Sequence, residues 1–182
     1  MTRDTLVAMR ARGCLGAAED VTLRVPPEGE VVPKIKYDDE VVMFEAHVER
    51  GLALPASNFF SDLLEYFGLL PQHLSANSIM QLSAFAVLCE VYLGIWPNLD
   101  LFSRLFYLRA RFKPNPEKLE ELHEVPVDCS SAVVYRRPGN PLPSSKTTES
   151  VKNWQRTYFY ARNRNKKADM VNLPAFQDAG PD

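Results

Sequence analysis

The chain has 182 residues, of which 46% are hydrophobic and 24% charged, and its formal net charge is −2. This suits one soluble globular domain with tails, and near-neutral charge argues against a protein that coats nucleic acid through its overall field. Three scattered cysteines, Cys14, Cys89 and Cys129, point to reduced thiols rather than a disulfide framework, and no apolar run approaches the roughly 20 residues that span a bilayer.

Residues 1–37 mix small and charged residues and then reach VPPEGEVVP, so they are expected to form a flexible arm. The start carries Arg3, Arg10 and Arg12 without an apolar h-region, and Asp4 interrupts the basic pattern. Neither a secretory signal nor a transit peptide fits, and an intracellular protein of nucleus or cytoplasm is expected. A first helix should start at Asp38 or Asp39, with Asp38, Asp39 and Glu40 as its acidic start. Val41, Val42, Phe44 and Val48 make its stripe, which stops at Gly51. A second helix is capped by Ser57 or Asn58, has Phe59, Phe60, Leu63, Leu64 and Phe67 as its apolar face, and ends at Gly68.

The third and central helix runs from the cap Ser75 to Gly94. It is apolar on nearly every side, which predicts burial within a bundle. After an Ile95-Trp96-Pro97 corner, a fourth helix starts near Asn98 and carries Leu101, Phe102, Leu105, Phe106 and Leu108. Lys113–Pro116 turns into a charged helix, EKLEELHE. Ala132–Tyr135 reads as a strand. Around Trp154–Ala161, Val151, Trp154 and Tyr158 fit a helix, whereas Thr157, Tyr158, Phe159 and Tyr160 fit a strand; the favoured reading is a strand paired with 132–136. The expected fold is therefore mainly α (α+β). About four short helices form a compact bundle over 38–165, followed by a small antiparallel hairpin, with a flexible arm at 1–37 and a tail at 166–182. Met170–Phe176 is expected to dock on the body.

Little in the sequence announces chemistry. His47, His73 and His123 share no ligand spacing with one another or with the cysteines, so no metal or cofactor is expected. No nucleophile elbow, phosphate loop or dinucleotide-binding glycine pattern occurs, and no small-molecule substrate is indicated. Asp62 and Glu65, one turn apart, read as a solvated helix face. Glu90 is an acid within an apolar helix: either it reaches solvent or an arginine such as Arg104 or Arg109, or it is a buried acid at a pocket. Lys152, Arg156, Arg162, Arg164, Lys166 and Lys167 form an acid-free basic stretch interleaved with Trp154, Tyr158, Phe159 and Tyr160. Cations on phosphates with rings under bases would suit single-stranded nucleic acid, whereas rings folded into a core would leave only solvated charge.

FEAHVERGLALPASNFF, GLLPQHLSANSI, CEVYLGIWPNLDLFSRLFYLR and the later SVKNWQRTYFYARN and ADMVNLPAF together carry a family likeness. The span from about 38 to 176 resembles the gypsy-type transposon domain of plant retrotransposon-like reading frames. Similar proteins continue into a charged, coiled-coil-rich segment, so the end at Asp182 reads as a truncation. The resemblance brings no catalytic residue set with it. The chain also lacks the Asp-Thr/Ser-Gly, Tyr-x-Asp-Asp and zinc-knuckle signatures of retroelement enzymes and nucleocapsids. It implies a non-catalytic interaction or structural domain that associates with itself or with other element-encoded proteins, as a capsid-region protein does. Trp96 and Trp154 are its candidate contact aromatics, no membrane partner is expected, and nucleic-acid binding through 152–167 is the alternative.

Overall fold

The computed structural model describes residues 1–110, 131–139, 152–164, 169 and 171–174. The fold is mixed α+β with four helices of seven or more residues, as expected, but in place of a bundle with one hairpin the described residues carry two small antiparallel sheets. The first sheet has the order β1–β5–β2, where β1 is Val21–Arg24, β2 is Val41–Phe44 and β5 is Tyr158–Asn163. The central strand is thus the last in sequence, with Leu23 opposite Ala161 on one side and Val41 opposite Ala161 on the other.

The expected first helix is in fact β2 followed by a single helical turn, α2 (Glu45–Val48). All four β2 side chains are buried because the strand lies between two apolar clusters. Val41 and Met43 join the main core with Leu63, Leu64 and Ile79, whereas Val42 and Phe44 join a second cluster with Trp154, Tyr158 and Tyr160. The period-2 alternation exists, but burial on both faces hides it, and a short apolar run then looks like one side of a helix. β5 follows the same division, with Phe159 and Ala161 towards the main core and Tyr158 and Tyr160 towards the second cluster.

The N-terminal region is part of this fold rather than an arm. Thr2 caps α1 (Arg3–Ala11) by accepting from the Thr5 N–H at 3.2 Å, and Leu6 and Met9 are buried. The Arg10 guanidinium donates to the carbonyls of Gly16 (3.1 Å) and Val21 (2.7 Å), which ties α1 to β1.

Caps fall where the sequence places them. Ser57 accepts from the Phe60 N–H at the start of α3 (Asn58–Phe67), and Gly68 ends that helix with φ 61°. Ser75 accepts from the Ser78 N–H at the start of α4 (Ala76–Val87), and Asn98 from the Leu101 N–H at the start of α5 (Leu99–Leu105). α4 then widens into a π-helical segment, Leu88–Leu93, which Gly94 closes at φ 65°. Phe59, Phe85, Phe102 and Phe106 pack with ring centres 5.2–5.9 Å apart and join α3, α4, α5 and the following strand.

That strand is a second departure. The fourth helix stops at Leu105, and β3 (Phe106–Ala110) pairs with β4 (Ala132–Arg136), placing Tyr107 opposite Tyr135. β4 therefore pairs with β3, and β5 pairs with β1 and β2, so the predicted pairing of 132–136 with 158–161 does not form. On its other side β4 meets α4, where the fully buried Ser78 hydroxyl accepts from the Val134 N–H at 3.1 Å. Val171 and Leu173 pack on the core, and the Asn172 carbonyl accepts from the Ser61 hydroxyl, as expected for a docked tail segment. The EKLEELHE helix, Lys166, Lys167 and Met170 lie outside the described residues.

Candidate interaction site

The central helix is only half buried. Ile79, Leu82, Phe85 and Cys89 enter the core. Past Val87 the outward side of the chain stays apolar, with Val87, Val91, Tyr92, Leu93, Ile95 and Trp96 between 44% and 84% exposed. Contrary to the expectation that no apolar run approaches the length of a membrane span, Ala76–Leu93 meets that length and composition, at 18 residues and mean hydropathy 1.3. That apolarity serves the core in its first half and faces outward in its second. The π-helical widening sits where the core-facing stripe gives way to the outward one, and such bulges recur at functional positions.

Trp96, at 84% exposure, is the most prominent large apolar side chain of this ridge. Glu90 is exposed, so the buried-acid reading of Glu90 does not hold and the solvent-reaching one does. Burial pushes the neighbouring Cys89 thiol up, with the Glu90 charge adding to the effect, so Cys89 is a packed and unreactive thiol.

Trp154 is not a contact aromatic. It is 7% exposed and packs 4.9 Å from the Phe44 ring and 4.6 Å from that of His47. Tyr158, Phe159 and Tyr160 are buried as well. The rings of the basic stretch therefore cannot lie under bases. Its cations are spread out: Lys152 and Arg156 are exposed, and Arg162 lies 3.6 Å from Asp39 with its guanidinium 4.1 Å from the Tyr37 ring centre. Arg164 donates to the Ala18 carbonyl at 3.0 Å.

Two buried polar groups escaped sequence reading. Glu40 is 1% exposed and forms a bidentate pair with Arg24 (2.9 and 2.8 Å), and its carboxylate also accepts from the Lys36 N–H. Burial alone would raise its pKa, but the Arg24 and Lys36 hydrogen bonds outweigh that and hold the carboxyl below the usual range. Arg24 also stacks on Tyr160, 3.6 Å from the ring centre, and the Tyr160 hydroxyl bonds Glu30. Burial, with that Glu30 contact, pushes the Tyr160 phenol up to about 12. His47 is 1% exposed, lies between Phe44 and Trp154, and has no protein partner in hydrogen-bond geometry for either ring nitrogen. Its burial lowers its pKa to about 3, an effect the adjacent Leu74 backbone opposes and the Arg50 charge reinforces. Among the described residues, no three His, Cys, Asp or Glu side chains cluster as a metal site.

These features define a mixed α+β domain whose most distinctive surface is an apolar ridge. Residues 41–110 match the family described as "Putative gypsy type transposon". No curated protein and no solved structure matches the chain. The match is narrower than the resemblance over 38–176. It starts at the first residue of β2 and ends at the last of β3, and both strands bond to partners outside it.

Proposed function

We propose that this chain is a non-catalytic self-association domain of retrotransposon origin, comparable in role to a capsid-region protein, with the Val87–Trp96 ridge as its contact surface. The supporting observation is the exposure of six large apolar side chains within ten residues, among which Glu90 is the one charge. Their exposed area is on the order of 700 Å², close to the ~800 Å² that each partner contributes to a standard interface. A patch of that size exceeds what monomers usually leave open. Two copies meeting ridge to ridge about a two-fold axis would bury it, with Trp96 and Tyr92 as the aromatic anchors.

Light scattering behind size-exclusion chromatography, run over a range of loading concentrations, tests this reading. The expected result is a mass that rises towards a dimer or larger species, and that returns to the monomer in Trp96→Ser and Tyr92→Ser. A strict monomer at high concentration, or an oligomer that both substitutions leave intact, would refute it.

A further inference from the structure

We propose that the outer face of the β3–β4 hairpin is a binding platform for single-stranded nucleic acid, independent of both the apolar ridge and the 152–167 stretch. Phe106, Leu108, Ala132 and Val134 of this two-stranded sheet turn into the core. The alternation of strand side chains then puts Tyr107, Arg109 and Tyr135 on the opposite face. Tyr107 and Tyr135 are cross-strand partners whose rings stack 5.6 Å apart at 22°. Tyr135 is 40% exposed, so this ring pair reaches the surface.

Among the described residues of β3, β4 and the last turn of α5, every charge is positive. The Arg137 guanidinium lies 5.8 Å from the Tyr107 ring centre and is held in place by donating from Nε to the Ser103 carbonyl at 2.6 Å. Arg109, next but one along β3, and Arg104 on the last turn of α5 are both exposed. No Asp or Glu occurs in 101–110 or 131–139. A polyanion that also offers flat π-faces fits this combination, with phosphates at the arginines and a base extending the tyrosine stack. Duplex bases are stacked on one another and cannot enter it, so the platform selects single strands. The rings of the 152–167 stretch are buried, whereas this pair is not, so the hairpin holds the ring-and-cation arrangement that the basic stretch lacks.

The test is fluorescence anisotropy with a labelled oligothymidylate, titrated from low to physiological salt, with heparin and polyglutamate as non-stacking polyanion controls. Binding should weaken linearly in log–log coordinates as salt rises. Arg104→Gln with Arg109→Gln should flatten that slope by about 1.4, the share of two phosphate contacts to a single strand. Tyr135→Leu, which keeps apolar bulk and removes the π-face, should weaken oligothymidylate binding by about fivefold or more and leave heparin binding unchanged. Lys152→Gln with Arg156→Gln should leave both unchanged, and an unaltered urea midpoint will show that each variant is folded. The proposal is overturned if there is no binding at low salt. It is equally overturned if Tyr135→Leu binds as tightly as wild type, if the Lys152/Arg156 variant is the one that loses binding, or if polyglutamate competes as well as the oligonucleotide, which would indicate an acidic peptide site.

Discussion

His47 makes the stability of this domain depend on pH in a window where few other groups titrate. The imidazole is neutral in the folded chain, with a pKa near 3 set mainly by burial, against about 6.5 when unfolded. Above pH 6.5 both states carry a neutral ring and the group has no effect. As pH falls below 6.5 the unfolded chain takes up the proton and the folded chain does not, so stability declines until pH reaches the folded pKa. Between pH 7 and pH 5 the loss is about 2 kcal/mol, and it approaches a slope of about 1.4 kcal/mol per pH unit at the lower end. His47→Phe keeps a ring against Phe44 and Trp154 and cannot bind a proton. Its added bulk costs the same at every pH, so it shifts the whole curve without changing its shape. Urea unfolding followed by far-UV circular dichroism and by the fluorescence of the adjacent Trp154 provides the comparison. The difference between wild type and His47→Phe should change by about 2 kcal/mol from pH 7 to pH 5. A difference that stays flat over that interval, within about 0.5 kcal/mol, would show that His47 is protonated or solvated in the folded chain and would refute the argument.

Other substitutions probe the remaining features. Phe85→Ala empties the centre of the Phe59–Phe102–Phe106 cluster and should cost about 3–5 kcal/mol by denaturant unfolding. Glu40→Ala strands Arg24, and because the arginine side chain keeps 26% exposure the cost should be about 2–3 kcal/mol, below the ~3–5 typical of a fully buried pair. Gly51→Ala should cost about 1–3 kcal/mol in thermal denaturation, since φ is +99° and a Cβ would meet the Ser83 hydroxyl at 2.7 Å.

What the sequence revealed was local. Ser57, Ser75 and Asn98 cap helices, and Gly68 and Gly94 end them, because a cap depends on a side chain and an amide three residues away. Asp62 and Glu65 are exposed, as a helix face opposite Phe59 and Leu63 should be. What stayed hidden depended on distant partners. Val41–Phe44 looks helical until a second cluster covers its other face. Val21–Arg24 alternates apolar and polar as a strand should, but it is only four residues long beside a proline-rich run, and its partners lie about 140 positions away. Phe106–Ala110 reads as helix until β4 is set beside it. The surface divided in the same way: Trp96 and Trp154 look equivalent in sequence, and only the packing of Phe44 and His47 on one of them separates contact from core. Tyr107 and Tyr135 gained meaning only as cross-strand neighbours.

The position of β5 has a consequence for how the protein is made. Synthesis is vectorial, at roughly 5–20 residues per second. β1 and β2 leave the ribosome early, but the strand that joins them is Tyr158–Asn163. For several seconds the nascent chain carries two unpaired strand segments, including the wholly apolar Val41–Phe44, and no neighbour can close the sheet. The capped helices α3 and α4 can form in that interval from local contacts, whereas the sheet cannot be completed until the strand that occupies its middle has been made.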